Sequence, residues 1–171
     1  MTITLIGMPG SGKSVMGRAL AEALGYRWID GDRAIEEITG RRLQAIINED
    51  GLDAFRRIEE RVLLTLAEEK TVISTGGSAV YYDSAMQNFK KHGKVVYLYV
   101  GVDQILYRLG DYSKRGIVLG PGKTIADLYE ERAPLYEKYA DITINCDGRD
   151  YTTYQKQLNE TVAEICSIEL K

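Results

Sequence analysis

Cross-linking residues are scarce in this sequence. Its 171 residues include two cysteines, Cys146 and Cys166, and a single histidine, His92. The cysteines belong to no CxxC or Cys/His pattern, which argues against a disulfide scaffold or a structural zinc site and favours thiols in a reducing compartment. His92 follows two lysines at a predicted helix end, where an exposed cation is more usual than a catalytic base.

Long apolar runs and a strong excess of either charge are also absent. No stretch approaches the roughly 18 apolar residues of a membrane span, and no basic segment followed by an apolar one stands at the N-terminus. The net charge of −3 is typical of a mildly acidic protein and disfavours broad nucleic-acid binding. We therefore expect a cytoplasmic protein of one domain, with neither membrane nor nucleic-acid partners.

Strand-like runs alternate with helical ones along the chain. This alternation predicts an α/β fold, a parallel sheet with helices on both faces. Two stretches, residues 30–51 and 110–123, interrupt it and are predicted as long loops, which in compact domains often bind ligands or act as lids. The predicted strands are Thr2–Ile6, Tyr26–Ile29, Thr71–Ser74, Lys94–Val100 and Ile142–Asn145.

Residues 7–14, GMPGSGKS, fit the pattern GxxxxGK[ST] between a predicted strand and a predicted helix. Gly7, Gly10 and Gly12 lack a Cβ, so successive backbone amides can point inward and form an anion nest at the helix N-terminus. Lys13 adds a charge that reaches the β- and γ-phosphates, and Ser14 places a hydroxyl for Mg²⁺. The alternative is a turn that binds nothing, but every fixed position is filled, which predicts nucleoside triphosphate binding.

Two aspartates bear on which kind of phosphate chemistry the protein carries out. The chain has no Asn/Thr-Lys-x-Asp segment of a signalling GTPase, and its third and fourth predicted strands lack the terminal acidic residue of an ATPase motor. Asp30 and Asp32 follow the second predicted strand, at the sheet edge beside the phosphate loop. One could hold the metal while the other takes a proton from an acceptor hydroxyl. Alternatively, Asp32 only caps the next helix.

Two further features could serve an anionic acceptor. Arg56 and Glu59 are three residues apart on a predicted helix, so Glu59 could orient the Arg56 guanidinium toward a carboxylate, or the two could form an ordinary surface ion pair. The STGGS turn at residues 74–78 could let backbone approach a ligand closely, or could be a plain strand exit. Six of the twelve tyrosines are expected to pack with their hydroxyls at the surface, namely Tyr97, Tyr99, Tyr107, Tyr129, Tyr136 and Tyr139.

These motifs together resemble those of the shikimate kinase family. GMPGSGKS, IDGD, FRRIE, STGGS, an arginine at position 115 and ERAPLY occur in the family's order and spacing within residues 1–145. The resemblance implies a three-layer P-loop kinase fold with a five-stranded parallel sheet in the order 2-3-1-4-5. It implies one kinase domain over residues 1–171, with an acceptor-binding helical insert at about 31–62 and a lid at about 110–123.

The implied activity is phosphorylation of the shikimate 3-hydroxyl by ATP and Mg²⁺ in aromatic amino-acid (chorismate) biosynthesis, and we expect a monomer. By the same resemblance, Asp32 is the base and Asp30 and Ser14 are the metal residues. The implied catalytic residues are Lys13, Asp32 and Arg115. The acceptor residues are Asp32, Arg56, Gly76, Gly77 and Arg132. The implied ATP residues are Gly10, Ser11, Gly12, Lys13, Ser14, Val15, Arg108, which packs on adenine, and Arg115, which reaches the phosphates from the lid.

Four positions depart from the family pattern. Ser78 replaces the third glycine of GGG, and Gly116 replaces the proline of the lid sequence RPLL, which predicts a floppier lid. Leu52 and Ile47 stand where a glutamate and a phenylalanine are usual. The alternatives to the implied activity are therefore a related kinase acting on another hydroxy or sugar acid, or a catalytically weak nucleotide-binding module.

Overall fold

The computed structural model describes residues 1–110, 117, 122–148 and 150–167. Within these residues the strands and helices alternate as the sequence predicts. In chain order they are β1 Thr2–Ile6, α1 Lys13–Leu24, β2 Arg27–Asp30, α2 Gly31–Thr39, α3 Leu43–Asp50, α4 Leu52–Leu63, β3 Thr71–Ser74, α5 Asp83–His92, β4 Gly93–Tyr99, α6 Val102–Leu109, α7 Ile125–Tyr139, β5 Ile142–Asn145 and α8 Tyr151–Cys166. A short 3₁₀ turn, Ala79–Tyr81, lies between β3 and α5.

The five strands form one parallel sheet in the order β2-β3-β1-β4-β5, which confirms the predicted fold class and strand order. Strand β1 lies at the centre, where Thr4 pairs with Ile73 on one side and with Val95 on the other. All five residues of β1 are buried. The carboxyl end of such a central strand is the usual ligand site of an open α/β sheet, because the chain connections diverge there.

Helices cover both faces of the sheet. The connection from β1 to β2 and the connection from β3 to β4 run in opposite directions across it, so right-handed crossovers place their helices on opposite sides. Accordingly, α1 packs on β2 and β3 and against α8, whereas α5 packs on β1 and β4 and against α4. No helix in the described ranges is both long and apolar enough to cross a membrane.

The stretch predicted as a long loop at residues 30–51 is mostly helical, so that prediction is wrong. It forms α2 and α3, each of which buries a single large apolar side chain, Ile35 or Ile46. With only one large apolar side chain buried in each helix, the short segments lack the repeated apolar positions on which the sequence prediction of a helix depends. The predicted lid at about 110–123 falls largely outside the described residues, and Gly116 lies outside them entirely. Ile117 is described and packs beside the core.

Candidate active site

The predicted phosphate loop joins the carboxyl end of β1 to the first turn of α1. Its backbone takes positive φ angles at Gly10 (82°) and Gly12 (97°), a conformation that side chains other than glycine rarely adopt. The amide of Ser11 donates to the carbonyl of Met8 at 3.1 Å, which closes the turn. Since α1 begins at Lys13, the loop lies at the positive end of this helix, where anions bind favourably.

The Lys13 side chain is folded back into this loop. Its ammonium donates to the carbonyls of Gly7 and Met8, both at 2.8 Å. Burial lowers the pKa of Lys13 to about 8, although the nearby charges of Asp32 and Asp30 act in the opposite direction. The lysine is therefore still mostly protonated at neutral pH, and its charge is poorly solvated. Phosphate oxygens would give it better counter-charge than carbonyls do.

Asp30 links the phosphate loop to the second strand and its following helix. One carboxylate oxygen accepts from the amides of Asp32 (3.1 Å) and Arg33 (3.2 Å) and so caps α2, while the other accepts from the hydroxyl of Ser14 at 2.8 Å. The alternative in which Asp32 caps this helix is thus wrong. The two aspartates differ in role because Asp30 ends the strand and Asp32 already lies in the first turn of the helix.

Asp32 projects from that first turn into a pocket of about 330 Å³ beside the phosphate loop. Partial desolvation by the surrounding protein, followed by repulsion from Glu59 and Asp30, raises the pKa of Asp32 to about 6. A carboxylate with a raised pKa is a better proton acceptor than an ordinary surface aspartate. The other predicted site residues that line this pocket are Gly10, Gly12, Lys13, Ser14, Val15, Gly76, Gly77 and Arg132.

The double glycine after β3 brings backbone against these charged groups. A Cβ on Gly76 would lie 2.7 Å from a carboxylate oxygen of Asp32, and a Cβ on Gly77 would lie 2.8 Å from Nη1 of Arg132. Side chains at either position would therefore displace the charged groups. The hydroxyl of Tyr136, which is fully buried, donates to the Gly77 carbonyl at 2.7 Å. The expectation of a surface hydroxyl is therefore wrong for this tyrosine. The one sequence signal for its place at the site is its position in the ERAPLY motif.

Arg132 is a buried cation on α7, with 4% of its surface exposed. Its Nε donates to the hydroxyl of Tyr81 at 3.1 Å, and its guanidinium lies 5.2 Å from the centroid of the same ring. Arg56 is half-exposed on α4 and lies 3.7 Å from Asp53. It borders a small cavity of about 40 Å³ that Arg132 also lines, so the two arginines approach this cavity from different helices.

Glu59 does not orient Arg56 in the way that the sequence suggests. Its carboxylate is almost fully buried and accepts hydrogen bonds from Ser78 and Tyr82 instead. Sequence reasoning overlooked both partners, because they lie 19 and 23 residues further along the chain. The sequence does carry one signal for the first of these partners, because Ser78 stands where the family pattern has a glycine.

Arg108, at the end of α6, borders the phosphate loop from the other side. Its Cβ lies 3.9 Å from the position that a Cβ on Gly10 would take. The guanidinium donates to the Cys146 carbonyl at 2.9 Å and lies 5.9 Å from the ring centroid of Tyr154. Ser11 is buried inside the loop. Arg115, the predicted lid arginine, lies outside the described residues.

The site combines a lysine and a serine that follow a glycine loop at the start of a helix with a pocket that has its own carboxylate and arginine. This combination defines a P-loop kinase of small molecules. Comparison with known proteins identifies the family. A family model described as shikimate kinase matches residues 9–166. The chain belongs to the shikimate kinase family, which confirms the resemblance drawn from the motifs.

Individual relatives agree with this assignment. The chain is 41% identical over 149 residues to a shikimate kinase of Mycobacterium avium, a match that covers 85% of this chain and 84% of the relative. Among solved structures it resembles shikimate kinase from Acinetobacter baumannii in complex with shikimate, with a TM-score of 0.83 and 32% identity over 97% of this chain and 93% of the other. It also resembles shikimate kinase from Aquifex aeolicus, with a TM-score of 0.84 and 30% identity over 97% and 98%.

We expect Lys13→Met to remove most catalysis while leaving the protein folded. The lost charge acts on the negative charge that develops on the transferring phosphoryl group, and its removal should lower turnover on the order of 100-fold or more. Steady-state assays measure the effect, and thermal melting monitored by circular dichroism establishes that the variant is folded. A folded variant within a few-fold of the parent would show that this loop is not the catalytic centre.

Proposed function

We propose that this protein transfers the γ-phosphoryl group of ATP to the 3-hydroxyl of shikimate, a step of aromatic amino-acid (chorismate) biosynthesis. The observation that carries this proposal is the arrangement beside the phosphate loop: the Asp32 carboxylate and the buried Arg132 guanidinium border one pocket, each within 3 Å of where a Cβ on the double glycine would lie. Family membership supports the same acceptor.

In the proposed reaction the acceptor hydroxyl oxygen forms a bond to the γ-phosphorus as the bond to the β-phosphate oxygen breaks, and ADP leaves. Asp32 takes the hydroxyl proton, a role for which its raised pKa suits it. Lys13 and the loop amides hold the phosphates and stabilise the charge that develops on them. Arg115 is proposed to contribute a further positive charge from the lid.

We propose Mg²⁺ as the metal, held by Ser14 and Asp30. The hydroxyl and carboxylate oxygens of these residues already lie within 2.8 Å of each other at the start of α1, and oxygen is the ligand type that Mg²⁺ requires. No group of three or more His, Cys, Asp and Glu in the described parts of the chain could hold a metal unaided. Protein sites for Mg²⁺ often have few carboxylates because substrate phosphates complete them. When bound, the ion neutralises charge on the β- and γ-phosphates.

Arg132 and Arg56 are proposed to hold the acceptor carboxylate. Arg132 is desolvated, yet within the described residues its guanidinium forms no ion pair with a carboxylate at 4 Å or less. A buried guanidinium without such a partner gains strongly from an incoming anion, because its charge is otherwise balanced only by neutral groups and more distant carboxylates. An acceptor with a carboxylate would supply that charge.

We further propose that the protein acts as a monomer in the cytoplasm. The proposal rests on the assignment to the shikimate kinase family and on the sequence, in which Cys146 and Cys166 form no CxxC or Cys/His pattern and so suit a reducing compartment.

A coupled ADP-release assay tests the acceptor class. With ATP and Mg²⁺ present, we expect turnover with shikimate and little above background with gluconate or nucleoside monophosphates. Turnover with gluconate but not shikimate would favour a kinase for another hydroxy or sugar acid. Binding of ATP without turnover of any acceptor would favour a catalytically weak nucleotide-binding module.

The two aspartates should be separable by mutation. Asp32→Asn should lower turnover sharply with ATP affinity nearly unchanged, because the amide cannot accept the hydroxyl proton. Asp30→Asn should raise the Mg²⁺ concentration needed for half-maximal activity without changing the melting temperature, because asparagine caps a helix as well as aspartate does. Calorimetric titration of ATP and Mg²⁺-dependent kinetics measure these effects. Loss of ATP binding in Asp32→Asn would mean that the two roles are reversed.

The carboxylate clamp predicts that shikimate binds far better than its uncharged methyl ester. Each charged hydrogen bond contributes about 1.5–3 kcal/mol, so the ester should bind at least about 10-fold more weakly. Arg132→Lys should weaken binding of the acid specifically, since an ammonium cannot reproduce the planar guanidinium fork. Titrations with a non-hydrolysable ATP analogue present measure these affinities. Equal affinities for acid and ester would refute the clamp.

A further inference from the structure

The guanidinium of Arg132 meets a tyrosine hydroxyl at one edge and the double glycine at another. Its Nε donates to the hydroxyl of Tyr81 at 3.1 Å, whereas Nη1 lies 2.8 Å from the position that a Cβ on Gly77 would take. Tyr81 ends the 3₁₀ turn that follows the double glycine, so one short segment of chain reaches both edges. Because the arginine is almost fully buried, its orientation depends on such neighbours rather than on water.

The Tyr81 hydroxyl is itself oriented by a carboxylate. A hydroxyl has a single proton, and this one is donated to Oε1 of Glu131 at 2.5 Å. The lone pairs of the hydroxyl oxygen are therefore left to face Nε of Arg132. A hydroxyl that donates to an anion is also a stronger acceptor, because hydrogen bonds in series polarise one another.

Lys123 completes the arrangement at the far side of Glu131. Its ammonium donates to Oε2, so each oxygen of the carboxylate has its own partner and the negative charge is balanced by a lysine. Hydrogen bonds from Lys123 and Tyr81 lower the pKa of Glu131, while burial raises the pKa of Tyr81. At neutral pH the carboxylate is therefore charged and the hydroxyl keeps its proton. Lys123, Glu131, Tyr81 and Arg132 thus form one hydrogen-bonded series.

The series lies behind the pocket rather than in it. All four residues line the small cavity of about 40 Å³, which is too small to hold a whole acceptor molecule. Of the four, Arg132 alone also lines the larger pocket beside the phosphate loop. Lys123, Glu131 and Tyr81 are therefore placed to act on a bound acceptor through this arginine.

We propose that Tyr81 and Glu131 are positioning residues for Arg132, which hold its Nε edge so that the two Nη groups present a fixed fork to the anionic group of the acceptor. Bidentate recognition of a carboxylate depends on the plane of the guanidinium. Without the Tyr81 hydroxyl, this plane is free to turn and the charged hydrogen bonds to the acceptor are weakened. The inference rests on the acceptor clamp proposed above.

The first measurement follows Arg132 itself by nuclear magnetic resonance of isotope-labelled protein. The Nε–H signal of Arg132 is assigned as the one that disappears in Arg132→Lys. We expect its proton to exchange with solvent about 10-fold faster in Tyr81→Phe than in the parent, because the hydrogen bond that protects it is lost. Unchanged exchange would overturn the inference, even if the clamp is correct.

The second measurement compares the affinities of shikimate and its methyl ester, with the non-hydrolysable ATP analogue present. Tyr81→Phe keeps the ring and removes the hydroxyl, so the affinity for shikimate should fall about 10-fold while that for the ester stays within about two-fold. The Kd of the ATP analogue should not change. Glu131→Gln still accepts the Tyr81 proton but lacks the charge, so it should act in the same direction with a smaller loss.

The chain offers a matched control in Tyr139. Its hydroxyl donates to Asp83 at 2.6 Å, and Lys138 lies 3.8 Å from the same carboxylate, so the tyrosine, carboxylate and lysine of the series are repeated. These three residues line neither the pocket nor the small cavity. Tyr139→Phe should therefore leave both affinities and the exchange of the Arg132 proton unchanged.

A double-mutant cycle separates positioning from packing. Lysine has no Nε–H donor of this kind, so adding Tyr81→Phe to Arg132→Lys should change the acid-to-ester preference by less than about two-fold. In Arg56→Lys, which keeps Arg132, the full effect of Tyr81→Phe should remain. An undiminished effect in Arg132→Lys, or an equal loss of acid and ester binding in Tyr81→Phe alone, would show a merely structural role and overturn the inference.

The same data distinguish this inference from the function on which it rests. A parent protein that binds acid and ester equally would refute the clamp and, with it, the role of the series in acceptor binding. A parent that prefers the acid, with a Tyr81→Phe variant that keeps this preference, would refute only the role of Tyr81 and Glu131. If Tyr81→Phe fails to fold by circular dichroism, Glu131→Gln and Glu131→Ala provide the same comparison.

Discussion

The desolvated ammonium group of Lys13 sets the charge balance of the whole site. Burial lowers the pKa of Lys13 to about 8, while partial desolvation and neighbouring carboxylates raise the pKa of Asp32 to about 6. Each group weakly stabilises the charge on the other, but neither is well compensated by its surroundings. The charged form of each group is therefore destabilised. A bound phosphate would stabilise the lysine ammonium, and a proton would neutralise the aspartate carboxylate. In the proposed reaction, phosphate binding by Lys13 and proton transfer to Asp32 both make use of this imbalance.

Strand register holds these groups at one edge of the sheet. Asp30, the last residue of β2, pairs with Ser74, the last residue of β3. The Ser74 hydroxyl donates to the Lys13 carbonyl at 2.7 Å and accepts from the indole nitrogen of Trp28 at 3.1 Å. Thr75 continues the connection, because its amide and hydroxyl both donate to the Leu5 carbonyl. The phosphate loop, the aspartates and the double glycine thus keep fixed positions through short side-chain and backbone bonds.

The parts that the sequence predicts are those encoded over short distances. The phosphate loop is a contiguous pattern, and the motif order is enough to indicate the family and its strand order. The role of Glu59 could not be read in this way, because its hydroxyl partners are distant in the chain and an arginine three residues away offers a plausible local partner. The sequence leaves the roles of Asp30 and Asp32 ambiguous for another reason. If the helix began two residues later, Asp32 and not Asp30 would be its N-cap, and helix starts are predicted no more precisely than that. The positions of Arg115 and the lid remain predictions.

Three of the twelve tyrosines place a hydroxyl at the pocket wall formed around Arg132, Glu59 and Gly77. Tyr81, Tyr82 and Tyr136 each carry a ring that packs at or in the core and a hydroxyl that bonds a group of the site, respectively Arg132, Glu59 and the Gly77 carbonyl. Burial raises the pKa of all three, so they stay neutral. Phenylalanine would fill the same space but would remove one hydrogen-bond partner from each of these buried polar groups. The loss of such a partner destabilises the folded protein. Neutral hydroxyls suit this wall of the pocket because they give hydrogen-bond partners to a guanidinium nitrogen, a carboxylate and a carbonyl without adding charge.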